Sequence, residues 1–201
     1  MKKVDFISVL NNTWSIEANE LLRLKEYTDY DSIIKVIKLI GNCKGNVLIT
    51  GCGTSAQIAK KIVHSLNCIN VKSFYLNPSD AIHGSLGTID NRDIVIFISK
   101  GGNTEELTCF TNNIKAKKAK IVYVGENIDS LLGKTCDIFL QVKINKEPDQ
   151  FNMLATSSSM SVLALFDAIC ICIIEYKKFT KNDFRINHPG GAVGKRLKQS
   201  K

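Results

Sequence analysis

Three short runs are rich in hydroxyl side chains, the first two of them together with glycine: Gly51-Cys52-Gly53-Thr54-Ser55-Ala56, Ser99-Lys100-Gly101-Gly102-Asn103-Thr104-Glu105-Glu106 and Thr156-Ser157-Ser158-Ser159. The first two follow apolar runs, and all three open onto helical patterns. Glycine lets the backbone turn sharply and approach a ligand closely, while a helix start presents free amides and a partial positive charge, so such segments favour an anion. Each run also has a plain explanation. The first matches the loose dinucleotide pattern of spaced glycines, and the third serves as a redundant helix cap worth about 1 kcal/mol. A nucleotide site also needs an acid at the end of the next strand, about 20 residues on, to hold the ribose. That strand ends Phe74-Tyr75-Leu76-Asn77, and Asp80 falls later, behind Pro78. No nicotinamide, flavin or other cofactor is therefore expected. The missing Gly-x-x-x-x-Gly-Lys-Ser/Thr signature argues against a nucleoside triphosphate. Taken together, three hydroxyl-rich helix starts in one sheet can converge on a single phosphate.

Periodicity supplies the elements that must position these runs. Apolar residues recur at helical spacing from Ile7 to Lys25, and again from Ile33 to Ile40 behind Asp31 and Ser32, both good caps. Asn46 to Thr50 reads as a strand, the glycine turn follows, and Ala56 to Leu66 reads as a helix. His64 sits inside that helix and has a structural reading. Further strands are predicted over Val71 to Leu76, Ile94 to Ile98, Ile121 to Val124 and Asp137 to Val142, with helices over Glu105 to Ala116 and from about Ser158 to Tyr176. Short apolar runs alternating with helices predict an α/β fold, a three-layer αβα sandwich with a mainly parallel five-stranded sheet covered on both faces. Open sheets of this kind bind ligands beyond the carboxyl ends of their strands, where the first two runs fall.

A chain of 201 residues, 44% apolar and 23% charged, can bury one domain's core. The organisation expected is one domain over 1–201, with leading helices to about residue 42 and a terminal arm from about residue 185. Seven cysteines form no Cys-x-x-Cys pair and are odd in number, which suits reduced thiols and predicts no metal. The basic Met-Lys-Lys start is interrupted by Asp5, so no export signal is read and a cytoplasmic location is expected. The longest apolar stretch, Met160 to Ile174, holds Asp167 and falls short of the ~20 residues a membrane span needs, so it reads as a core helix. The formal charge of +8 comes with no nucleic-acid-binding signature. Lys115, Lys117, Lys118 and Lys120 suit a solvated helix end, and Lys195, Arg196, Lys198 and Lys201 a basic tail. Neither nucleic acid nor membrane is expected as a partner; a basic field suits an anionic metabolite.

At this point the chain resembles the SIS (sugar isomerase) family, and within it the arabinose 5-phosphate isomerases. The resemblance runs from about Lys44 to Leu197. Its markers are Gly51-Cys52-Gly53-Thr54-Ser55, the stretch from Asn77 to Gly87 around His83, the Ser99 to Glu106 loop, Ala155 to Ser159, and the tail from Asn187 to Leu197 with His188-Pro189-Gly190-Gly191. The resemblance implies a flavodoxin-like fold and a phosphosugar ligand. It implies phosphate binding around Gly53, Thr54, Ser55, Ser99, Gly102, Thr104, Thr156, Ser157, Ser158 and Ser159. It implies Glu106, Glu147, His188 and His83 as active-site groups, and a homotetramer, a dimer of dimers in which the terminal histidine reaches a neighbouring subunit. Two departures stand out. Thr54 occupies the place of a lysine in the isomerases, and the chain ends before the CBS modules that many relatives carry, so none is expected.

Aldose-ketose interconversion needs ring opening and movement of a proton between adjacent carbons through an enediol, for which histidine and partly buried glutamate are suited. The expectation is that His188 opens the ring or moves the proton, Glu106 and Glu147 act as acid/base or orienting groups, and His83 contacts a hydroxyl. Plainer roles are available: Glu106 can favour its helix dipole, Glu147 can be loop surface beside Pro148, and His188 can belong to a shaped turn. The alternative function is a phosphosugar-sensing SIS module without turnover, favoured by Thr54 and opposed by several ionisable groups in one cleft.

Overall fold

In the computed structural model, which describes residues 4–191, 194 and 196, two helices precede the sheet. α1 (Phe6–Tyr27) starts where the Asp5 carboxylate accepts the Ser8 amide, and α2 (Tyr30–Gly41) starts where Asp29 accepts the amides of Asp31 and Ser32. The second cap therefore lies at Asp29 and not at Asp31 or Ser32. Asp29 has the extended backbone a cap needs, whereas those two already lie in the first helical turn.

β1 (Val47–Thr50), β2 (Ser73–Tyr75), β3 (Ile94–Ile98), β4 (Lys120–Gly125) and β5 (Ile138–Gln141) form one sheet in the order β2-β1-β3-β4-β5, with every pairing parallel. β1 and β3 are buried at every position, as a strand covered on both faces must be. Alternate residues feed separate cores. Val47, Ile49, Ile94, Ile96 and Val122 pack with α2, α3 (Thr54–Cys68) and α8 (Ser157–Lys177). Leu48, Val95, Phe97, Ile121 and Tyr123 pack on the other face with Leu107, Phe110, Ile114 and Leu132. Leu107, Ile114 and Leu132 come from α5 (Glu105–Thr108), α6 (Thr111–Ala116) and α7 (Leu131–Thr135), Phe110 comes from the junction of α5 and α6, and Ala81 of α4 (Pro78–Ile82) joins the same cluster. The result is the expected αβα sandwich.

Two elements depart from their predicted form. The helix read over Glu105 to Ala116 is broken at Cys109 and Phe110, and Phe110 drops onto Phe97 with ring centroids 5.5 Å apart. The strand read over Val71 to Leu76 keeps only Ser73–Tyr75. α8 has 21 residues, more than the apolar stretch alone suggested, and by length and composition alone it is long enough to cross a membrane. Here Val162, Leu165, Phe166, Ile169 and Ile173 bury it as a core helix.

The strand order reverses at β1, whose neighbours are β2 on one side and β3 on the other. A crevice opens above the carboxyl ends at such a switch point. At the far end of the chain, Thr180 and Asp183 form a reciprocal capping box that starts α9 (Lys181–Asn187). Ala192, Val193, Lys195 and Leu197 of the tail motif, and Lys198 and Lys201 of the basic tail, lie outside the described residues.

Candidate active site

Gly53 ends the β1 turn with φ +56° and ψ −126°, a backbone that a side chain would strain. That turn delivers Thr54 and Ser55 to the first turn of α3 and into a hollow at the crevice. The hollow is completed by Lys100 after β3, Gly125 at the end of β4, and Ser158 and Ser159 in the first turn of α8. Residues from all three hydroxyl-rich runs thus share one cavity. Ser99, Gly102 and Thr104 stand behind it as a brace: the buried Ser99 hydroxyl accepts the Gly102 amide at 3.2 Å and lies 3.0 Å from the Thr104 hydroxyl. Ser157 is turned into the core with no accessible surface, so its hydroxyl is not presented to the cavity.

Glu147 explains how α8 starts. Thr156 stands at the cap position but makes no side-chain cap bond. Instead the Glu147 carboxylate, 1% exposed, accepts the Thr156 amide at 3.1 Å, the Ser158 amide at 3.4 Å and the hydroxyls of both residues. Its own amide donates to Asn152 at 2.6 Å, while Asp149 gathers the amides of Phe151, Met153 and Leu154 and shapes the rest of the loop. Burial pushes the Glu147 carboxyl upward, but the Ser158 hydroxyl, the two amides and the Lys100 ammonium outweigh it and hold its pKa below the ordinary glutamate value. Glu147 is a buried, ionised cap.

On the other side of the Gly53 turn a second hollow is lined by Cys52, Gly53, Tyr75, Asn77, Ser79, Ile82 and Glu106. Glu106 lies exposed in the first turn of α5, aimed at this hollow, while His83 is exposed at the end of α4 one residue beyond Ile82. Burial, with Glu106 nearby, raises the Cys52 thiol, which keeps it protonated. His188 lies elsewhere. Its ring stacks on Phe184 at 4.1 Å, and Nδ1 is 2.9 Å from the Phe184 carbonyl oxygen; a carbonyl only accepts, so Nδ1 carries a proton there. The neighbouring Asn187 is tied to Cys68 and Asn70 at the C-terminal end of α3. Thr54 opens that helix, and 15 residues separate the ends by roughly 20 Å. Within one protomer, His188 does not meet Thr54, Ser55 or Ser158.

The SIS domain family matches residues 40–171. The chain belongs to the SIS family. Arabinose 5-phosphate isomerase KpsF of Escherichia coli is 34% identical over 191 residues, covering 95% of this chain and 60% of that relative. This SIS chain therefore spans about three fifths of the curated relative's length. Among solved structures, a candidate sugar-phosphate isomerase from Listeria monocytogenes strain 4b F2365 is 46% identical with a TM-score of 0.91, covering 94% of this chain and all of that one. An Escherichia coli CFT073 protein in complex with arabinose 5-phosphate is 28% identical with a TM-score of 0.87 over the same shares.

Sequence reasoning passed over two members of the SIS crevice. Lys100 was legible only as one letter of a glycine loop, and nothing in the spacing reveals that it lines the same hollow as Thr54, with its ammonium beside Glu126 and Glu147. Tyr75 lies inside the predicted strand Val71 to Leu76 and ends the observed β2, yet its hydroxyl donates to the Gly51 carbonyl at 3.0 Å and so fixes the turn below the second hollow.

Proposed function

We propose that this SIS chain interconverts arabinose 5-phosphate and ribulose 5-phosphate. The observation that carries this reading is the single hollow shared by Thr54, Ser55, Lys100, Ser158 and Ser159, adjoining a second hollow that Glu106 lines. Support comes from the KpsF relative and from the Escherichia coli protein solved with arabinose 5-phosphate.

The phosphate sits in the first hollow on the hydroxyls of Thr54 and Ser55 and on the free amides at the start of α3, with Ser158 and Ser159, whose hydroxyls donate to Glu147 and to the Ala155 carbonyl, lining the opposite wall. The sugar crosses the Gly53 turn, where the missing side chain leaves open space, toward Glu106. There a base removes the proton from C2 as the carbonyl oxygen on C1 gains one, giving the enediol. The hydroxyl on C2 then loses its proton, and C1 receives one, leaving the ketose. Glu106 takes the base role. Glu147, ionised and saturated with donors, orients the helix and does not exchange protons. Ring opening falls to His188, whose Nε2 enters the crevice of a neighbouring subunit, and His83 contacts a sugar hydroxyl. The assembly is a homotetramer working in the cytoplasm, and exposed apolar residues on α1, Phe6 and Ile7 at 73% and Trp14 at 59%, suit burial between copies.

Incubation with arabinose 5-phosphate and detection of ribulose 5-phosphate tests the reading. The expected result is turnover in the wild type and a loss of about 100-fold or more in Glu106→Gln. Phosphosugar binding without product would favour the sensing module instead, a reading supported by the uncharged Thr54 in the hollow.

A further inference from the structure

A phosphate dianion held only by hydroxyls and amides leaves two charges without a counter-ion. The helix start that faces it at α8 is already occupied by the Glu147 carboxylate, which uses part of that helix's terminal field. The described residues lining the two hollows include the acid Glu106, and their cation is Lys100. Its backbone is fixed: the Lys100 carbonyl accepts the Glu126 amide at 2.9 Å and the Tyr123 hydroxyl at 3.4 Å. Its side chain is 51% exposed, with Nζ 3.8 Å from Glu126 and 3.7 Å from Glu147, both longer than a hydrogen bond. Glu147 already accepts two amides and two hydroxyls, so it does not require the ammonium for its own satisfaction.

We infer that Lys100 is the cationic phosphate-binding residue of this crevice, supplying from the β3 loop the charge that Thr54 does not supply from the β1 loop. The inference rests on the phosphosugar reading for its ligand, but its chemistry is that of any phosphate monoester dianion. The ammonium swings from its two loose carboxylate contacts onto the phosphate oxygens, where a charge-assisted hydrogen bond is short and strong. A position after a glycine-bordered strand end, rather than on a helix, gives it the freedom to do so.

Calorimetric titration with inorganic phosphate and with arabinose 5-phosphate, on wild type, Lys100→Met, Lys100→Arg and the double variant Lys100→Met/Thr54→Lys, tests this. Lys100→Met should weaken both ligands about tenfold or more with the melting temperature unchanged, Lys100→Arg should keep most of the affinity, and the double variant should recover part of it. Unphosphorylated arabinose should not discriminate between wild type and Lys100→Met. Phosphate affinity within twofold of wild type in Lys100→Met, no recovery in the double variant, or no phosphate binding by the wild type would each overturn the assignment. Wild-type turnover of arabinose 5-phosphate that Lys100→Met leaves intact removes Lys100 and keeps the isomerase reading. Phosphate binding through Lys100 with no turnover does the reverse.

Discussion

Glu147 shows how little the neighbours of a carboxylate in the chain reveal of its surroundings. Beside Pro148, in a stretch with no periodicity, it can pass for solvated loop; folded, it is buried as the N-terminal cap of α8, supplied from outside the helix, a place that suits the orienting one of the two roles that the family likeness implies. Replacing it with alanine orphans the donors of Thr156 and Ser158 and should cost about 1–3 kcal/mol, read as a melting temperature lower by about 2–10 °C. Its folded pKa lies below the unfolded one, so its contribution is present above the ordinary glutamate pKa and is lost as pH falls through the depressed folded value. Glu147→Gln should therefore flatten the acid limb of a stability-against-pH curve measured by urea unfolding. An unchanged limb would remove Glu147 from the cap role. The sequence displayed the hydroxyls of Thr156 and Ser158 but not their acceptor, because a contact spanning nine to eleven residues through an irregular loop leaves no repeating mark.

At the level of elements, the strands and long helices could be read from the chain because each is dictated by its own residues: Ile94 to Ile98 is apolar throughout and is buried throughout. What escaped reading was decided by packing between elements. The break in the helix after Glu105 follows from Phe110 reaching Phe97 on the sheet, and the shortness of β2 follows from its place at the edge, paired with β1 alone. The Ser99 to Glu106 loop was legible as a ligand loop, yet its internal brace was not. Gly102 has φ +72°, and a Cβ there would lie 2.1 Å from the Ser130 hydroxyl and 2.5 Å from that of Tyr123. Gly102→Ala should consequently lower stability by about 2–4 kcal/mol, through backbone strain plus overpacking, and should weaken phosphate binding as Ser99 and Lys100 shift. Thermal melting paired with phosphate titration reads both, and a variant that melts like wild type would show that the loop has another way to close.

For the molecule as a whole, the separation between His188 and the crevice decides which experiment is informative. If neighbouring subunits exchange their terminal histidines, mixing inactive His188→Ala with inactive Glu106→Gln after partial dissociation should restore partial activity, because some sites then draw a sound His188 and a sound Glu106 from different chains. Mixtures that stay inactive would leave each protomer to work with its own groups, and His188 would lose its role. Sequence alone supplied the histidine and its glycine-rich turn; the tether of Asn187 to Cys68 and Asn70, which places it at the opposite end of α3, is a long-range contact no local pattern announces.

The same tether bears on how the protein behaves when scarce. On the proposed reading an isolated chain, though fully folded, would be chemically mute, so specific activity should collapse on dilution before ellipticity does, and the rate per milligram would report the assembly constant of the protein.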